Sequence, residues 1–505
     1  MHLLNATFQQ LIDHSNPGLG SFSQLYWYNT EFYAGPGSPI IVSAPQEAHD
    51  TSGLVLDTAL PGRFGKANSA AVISLQHRYY GDSAPFQDLT LPNLRYLSVN
   101  NSVQDLVYFA RNVQLPFDKG GASGPGRAPW VLAGCSYAGS LAYWVQRFAP
   151  GTFWAYYSSC APVQAISDFW QYFQPIQEAL PANCSRDLRK AVEHIDGVLS
   201  NGTEEAQAAL KTDFGFDGTV RNDVFGDWIA QPLLRWQDTE LHDNGVVNPV
   251  YRFCDYLENV VPANEDGSVP GPEGVGTDKA LAGYMKWSRS RDGPSSRNDT
   301  PAPADSQVAV NNSYNRQWLW LLCNEPTGLS GNCGFRFLAQ WDNGTEDDGV
   351  APTVLEWAQV SGPQDAFRLV SKFFNLDYRR QQCRDRFPGR VGLDAGRTVE
   401  RFNEWTGGWD AVGNTTRLMW VNGQHDPWRS ASVSSDYRPG GPLRSTEEAP
   451  VWVLPGAAHC NDFNMANAEA SAEGGKVMGE VLETMRRWVG EFYRQRSMEA
   501  DWESG

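Results

Sequence analysis

Short apolar runs alternate with amphipathic stretches through the first third of the chain. Pro39-Ile40-Ile41-Val42-Ser43 and Ala70-Ala71-Val72-Ile73-Ser74-Leu75 each read as buried strands behind turn-forming residues. Val103, Leu106, Val107, Ala110 and Val113 recur at helical spacing. Trp130-Val131-Leu132-Ala133 is a third strand, ending at the Gly134 turn; Ser140 to Phe148 follows as a helix stopped by Pro150, and Thr152 to Ser158 as a fourth strand. This β-α-β-α rhythm predicts an α/β fold, a parallel sheet with helices on both faces. From about 165 to 400 the rhythm breaks into helix-like stretches (Glu204 to Leu210, Ala280 to Trp287), Gly/Pro loops and a polar segment near 288–308 expected as a surface loop. Strands return at 416–421 and 450–454. A last amphipathic helix runs from Lys476 to Arg494, with Val477, Val481, Met485, Trp488, Val489 and Phe492 on one face. The pattern predicts one sheet domain built from 1–165 and 401–505, with a mainly helical cap of 166–400 inserted between them.

Composition agrees with this division, because 505 residues exceed what one compact core serves. Hydrophobic content of 41%, with 19 Trp, describes a packed protein rather than a disordered one. A net charge of −18 repels phosphate backbones, which excludes nucleic acid as the expected partner. With no apolar run of membrane-spanning length, no membrane association is expected. The eight cysteines permit four disulfides in any of 105 pairings. Among them, Cys323 and Cys333 flank a short loop that a local bridge would close, and Cys135 and Cys160 lie near two strand ends, as free thiols or a pair. Sequons occur at Asn5, Asn100, Asn183, Asn201, Asn298, Asn311, Asn343 and Asn414. Together these point to a secreted glycoprotein, or a lysosomal or vacuolar one, with Met1-His2-Leu3-Leu4 read as a trimmed or truncated start.

Gly134-Cys135-Ser136-Tyr137-Ala138-Gly139 sits where a strand meets a helix. A nucleophile elbow needs small residues there, because the turn brings both backbones against the serine; Ala138 stands where the usual motif has glycine. A serine hydroxyl needs a base, and the base an orienting carboxylate, in the chain order Ser, acid, His for this elbow. Asp426 follows one predicted strand and His459 the next, both at the edge where Ser136 emerges, so Ser136, Asp426 and His459 form the candidate catalytic triad of an α/β-hydrolase. His425, beside the acid, is the competing base but leaves no acid in the required order. The Tyr137 N–H is the first oxyanion donor by position, and the Gln46 or Glu47 N–H, after the early strand, supplies the second. The Tyr80 hydroxyl is a further candidate, although its segment reads more readily as a structural loop with Arg78 in a buried ion pair. No metal-binding spacing and no phosphate-cradling loop occurs, so neither metal nor cofactor is expected. Cys135 is read as a packed residue of the elbow.

The stretches HRYYGDSAPF, GCSYAGSLA, PGTFWAYYSSCAPV, LCNEP, WTGGWD, NTTRLMWVNGQHDPWR and PGAAHC resemble the proline-specific serine peptidases. These include lysosomal Pro-Xaa carboxypeptidase, dipeptidyl peptidase II and fungal acid prolyl endopeptidase, and the likeness is strongest to the last. The resemblance spans nearly the whole chain. It implies the same triad, a helical cap over the site, proline-containing peptides as substrates, and Trp428 as a wall of the proline pocket. Glu47 matches an acidic position beside the family's site, implying a contact with a substrate amine or a part in setting the pH optimum. Two positions depart from many relatives: Cys135 replaces a glycine, and Gln76 an acid. Alternatives on the same scaffold are an esterase or lipase, and a catalytically dead binding protein.

Overall fold

The computed structural model describes residues 3–242, 248–261, 268–290, 293, 316–324, 368–387 and 398–503. Eight strands form one sheet in the order β1-β2-β4-β3-β5-β6-β7-β8. They are β1 (Leu3–Leu11), β2 (Ser21–Asn29), β3 (Ile40–Ser43), β4 (Ala71–Leu75), β5 (Trp130–Cys135), β6 (Ala155–Ser159), β7 (Leu418–Gly423) and β8 (Val451–Leu454). From β4 to β8 every pairing is parallel, while the β1–β2 hairpin pairs antiparallel onto β4. This is the α/β-hydrolase fold.

Period-two alternation divides the sheet between two cores. Ile40, Val42, Ile73, Leu132 and Trp420 point to the face covered by α2 (Val99–Asn112) and α3 (Tyr137–Phe148). Ile41, Val72, Val131, Met419 and Val421 point to the other face, covered by α1 (Leu60–Asn68) and α4 (Ala472–Glu503). The C-terminal helix is longer than its apolar pattern announced, but Val481, Met485 and Trp488 are buried as expected. Burying each such side chain contributes about 1.5–3 kcal/mol. Between β6 and β7 the described residues fold as helices, among them Ala182–Asn201, Asn222–Leu234, Pro249–Leu257 and Thr277–Arg289.

Several expectations change. The β1–β2 hairpin is new: its alternation is masked because Gln10 and Gln24 occupy inward positions, where they bond to each other at 2.9 Å in full burial. The fourth strand starts at Ala155, since 152–154 still belong to the turn after α3. Cys323 bridges to Cys383, joining helices Arg316–Asn324 and Leu376–Arg386, and not to Cys333, which lies outside the described residues. Cys135 is neither a merely packed residue nor a partner of Cys160: it pairs with Cys460, 325 positions away. For a loop of that size the chain-entropy model gives about 5–6 kcal/mol of stabilisation. Cys184–Cys254 links two of the inserted helices. The expected surface loop is described only at 288–290 and 293. Asn5, Asn100, Asn201 and Asn414 are exposed, whereas Asn183 is half-buried with its amide donating to the Pro270 carbonyl at 3.4 Å. Asn298, Asn311 and Asn343 lie outside the described residues.

Candidate active site

β5 runs directly into α3 through Ser136, whose backbone (φ 60°, ψ −129°) is one that residues with a Cβ avoid. Two close approaches fix this elbow. A Cβ on Gly134 would run into the Ala138 carbonyl, and one on Gly139 would lie 2.6 Å from the Ser159 carbonyl. Gly139, one place beyond the usual motif position, is therefore required by the β6 backbone, and Ala138 suffices before it. The Ser136 N–H donates to the Ser159 carbonyl at 2.9 Å, tying the elbow to the next strand. Tyr137 opens the first turn of α3, where backbone N–H groups have no intrahelical acceptor.

Asp426 and His459 leave the carboxyl ends of β7 and β8. Their bond, Nδ1–H of His459 to Oδ1 of Asp426 at 2.9 Å, is buried, and the same Oδ1 accepts the Trp428 N–H at 2.9 Å. A carboxylate can only accept, so Nδ1 carries a proton, which in the neutral ring leaves the lone pair on Nε2. Nε2 is enclosed and has no hydrogen-bond partner among the described residues. The two loops are clipped together by His425 N–H on the Ala457 carbonyl (2.8 Å) and Gly456 N–H on the Gln424 side chain (2.8 Å).

Glu47 follows β3, facing the same edge. It is half-buried, with Oε1 enclosed and unpartnered. Burial pushes its carboxyl up to about 7, opposed by the nearby His459. Gln46 is buried beside it with its amide nitrogen unpartnered. Tyr80 is buried with its ring edge-on to His77 and His49. His77 in turn contacts the Tyr137 hydroxyl at 3.3 Å and is held down to about 4 by burial. Arg78 makes the buried ion pair, with Asp105 at 2.5 Å. Gln76, in place of the acid, accepts from Ser83 at 2.7 Å as part of the same structural loop.

The Trp428 ring is buried among Phe169 (5.8 Å between centroids) and Tyr172 (5.3 Å), with the His459 ring 6.4 Å away. The inserted helical region reaches over these loops. Trp236 donates to the His425 carbonyl (2.8 Å), Gln237 accepts the Trp428 indole N–H (3.1 Å), and the Thr239 carbonyl accepts from Asn461 (2.9 Å).

Sequence reasoning missed Phe169, Tyr172, Asn461 and Asp462. Asp462 is buried three residues after His459 and accepts from the hydroxyls of Tyr157 (2.5 Å) and Ser159 (2.7 Å) at the end of β6. Burial, with Asp426 adding to it, holds its carboxyl above the usual range. Its only signal was its place in His459-Cys460-Asn461-Asp462.

Residues 10–335 match the family model described as serine carboxypeptidase S28. Similarity to "Serine protease vicPa" of Bipolaris victoriae (strain FI3) is 35% identity across 97% of this chain and 89% of that protein. The chain belongs to the serine carboxypeptidase S28 family. "Serine protease vicPb" of the same fungus is 34% identical over 97% of this chain and 90% of its own length. "Thymus-specific serine protease" of Mus musculus is 26% identical over 94% and 86%. As a member of this family the protein is a serine peptidase. Among the described residues no helix is long and apolar enough to cross a membrane.

Proposed function

We propose that this S28 peptidase hydrolyses peptide bonds on the carboxyl side of proline, as an acid-active prolyl endopeptidase working through an acyl-enzyme. The observation that carries the reading is the buried Asp426–His459 bond with the aromatic wall of Trp428, Phe169 and Tyr172 beside it. Ser136 Oγ gives its proton to His459 Nε2 and attacks the carbonyl after proline; the imidazolium, held by Asp426, then protonates the leaving amine. Water repeats the sequence to release the acid. The Tyr137 N–H takes the oxyanion with the Gln46 or Glu47 N–H as second donor, and the Glu47 carboxyl, pushed up to about 7 by burial, is neutral in acid. A proline ring brings no N–H to satisfy and stacks on flat aromatic faces, which suits this wall. Exposed sequons at Asn5, Asn100, Asn201 and Asn414 support a secreted or vacuolar glycoprotein.

The test is incubation of wild type and Ser136→Ala with a proline peptide, its alanine counterpart and a short-chain ester. Cleavage after proline, lost in Ser136→Ala, is expected. Proline cleavage that survives Ser136→Ala removes Ser136 from the mechanism, and turnover of the ester alone favours an esterase on the same scaffold. The family's carboxypeptidase description favours a second reading, removal of single residues after a penultimate proline. Mass mapping of products separates internal cuts from terminal ones, dipeptide release included.

A further inference from the structure

Three cysteines crowd the junction between the elbow and the histidine loop. Cys135 directly precedes Ser136, Cys460 directly follows His459, and a disulfide joins the two. Cys160, the first residue after β6, is a buried free thiol whose Sγ accepts the Cys460 N–H at 3.1 Å. Donor atoms of Cys160, His459 and Cys460 all lie within 4.8 Å of one another. A thiol thus lies within 4.8 Å of one sulfur of a disulfide, with an imidazole nitrogen within that distance of both. The two disulfides of the inserted region, Cys184–Cys254 and Cys323–Cys383, have no such neighbour, since Cys160 is the one free cysteine among the described residues.

We propose that Cys160 is an exchange thiol for this staple, and that moving the disulfide from Cys135–Cys460 to Cys160–Cys460 uncouples the elbow from the histidine loop and switches the peptidase off. Cys160 gives its proton to a base, and the thiolate attacks Cys460 Sγ. The Cys160–Cys460 bond forms as the Cys135–Cys460 bond breaks, and Cys135 leaves as a thiolate that takes up a proton. No electron is gained or lost overall, so no outside oxidant or reductant enters. Cys160 and Cys460 both adopt positive φ (48° and 56°), a conformation that residues with a Cβ hold only where their surroundings impose it.

The surroundings also set when exchange runs. Burial, then the carboxylates of Asp426 and Asp462, push the Cys160 thiol well above its usual range, opposed by the Cys460 N–H and a hydrogen bond to Ser159. Among the described residues the Tyr157 hydroxyl from β6, the His459 ring and, beyond it, Glu47 are the other titratable groups that face this junction. In acid the thiol stays protonated and the staple holds. Exchange grows as pH rises.

The switching step rests on Ser136 and His459 as nucleophile and base, whereas the disulfide map does not, so the two readings fail separately. Wild type, Cys160→Ser and Cys333→Ser are held at about pH 9 without reductant, quenched in acid and alkylated. Each is then assayed for peptidase activity, mapped by non-reducing peptide mass spectrometry and checked by circular dichroism. Wild type is expected to lose activity about tenfold or more as the Cys160–Cys460 peptide appears and Cys135 becomes alkylated, with its circular dichroism unchanged. Cys160→Ser should stay within about twofold of its starting activity, and Cys333→Ser should behave as wild type. Equal loss in Cys160→Ser, loss with Cys135–Cys460 intact, protection by Cys333→Ser, or no exchanged peptide at all each overturns the proposal. Should Cys160→Ser fail to fold, Cys160→Ala, which adds no polar atom, gives the same test.

Discussion

The elbow at Ser136 and the loop of His459 present two halves of the proposed site by different means. The elbow is shaped by its own stretch of chain, a strand, a helix and two glycines that let the backbones approach, with β6 packed against it. The histidine loop has a short local frame, with the Ala458 N–H on the Asn461 side chain at 2.8 Å, and leans more on distant contacts. It is positioned by residues hundreds of positions away, through Cys460 to Cys135, Asp462 to Tyr157 and Ser159, and Asn461 to Thr239 in the inserted region. Local geometry is encoded in a short motif and tolerates change elsewhere. A loop assembled from distant contacts is sensitive at each of them, and is the natural place for control.

The largest effect expected lies in the elbow. Ser136→Ala should lower kcat by about 10⁶-fold with the fold intact, as loss of a triad nucleophile does, measured on a proline peptide. A small loss would place the chemistry elsewhere. In the histidine loop, Asp462→Ala should cut kcat by about 10- to 100-fold with little change in KM, because a displaced base misses the attack geometry. Asp462→Asn, which still meets both hydroxyls, should recover most of that loss. If Ala and Asn behave alike and the fold persists, the loop does not depend on this contact.

Glu47, close to His459, sharpens the contrast through pH. Its carboxyl is pushed up to about 7, so it is neutral in acid and becomes an anion near His459 as pH rises through that value, favouring the imidazolium over the free base. Activity should therefore fall with pH through about 7 in wild type, while Glu47→Gln, neutral throughout, carries activity to higher pH. A limb that stays near 7 in the Gln variant belongs to another group.

The smallest effect is a control remote from both halves. Glu258, at the end of helix Pro249–Leu257, is buried. Burial, then the Asp187 carboxylate, raises it to about 7. A folded-state value above the usual one means the stability it allows is present in full below about 4.5 and is lost as pH rises through 7. Glu258→Gln should raise the thermal midpoint by on the order of 1–2 °C at pH 8 and leave it unchanged at pH 4, read by scanning calorimetry. Equal shifts at both would mean the gain is not electrostatic.

The elbow was legible because its constraint is written within six residues, and Asp426 and His459 because each follows a strand whose apolar run announces it. The departures have physical causes. The β1–β2 hairpin hid behind the inward Gln10–Gln24 pair, since alternation counts apolar residues and not satisfied polar ones. Asp462 looked like any loop acid until β6 supplied two hydroxyls to it. Phe169 and Tyr172 gained meaning only by meeting Trp428.

By itself the sequence determined the α/β rhythm, the glycine-framed turn at Ser136 and the family to which the chain belongs, because these rest on local periodicity and motif. Which cysteines meet, what holds the histidine loop and how the inserted helices close over Trp428 were decided by the tertiary structure alone. They depend on distances between segments that the chain order leaves open, and 105 pairings of eight cysteines narrow only when the sheet brings strand ends together.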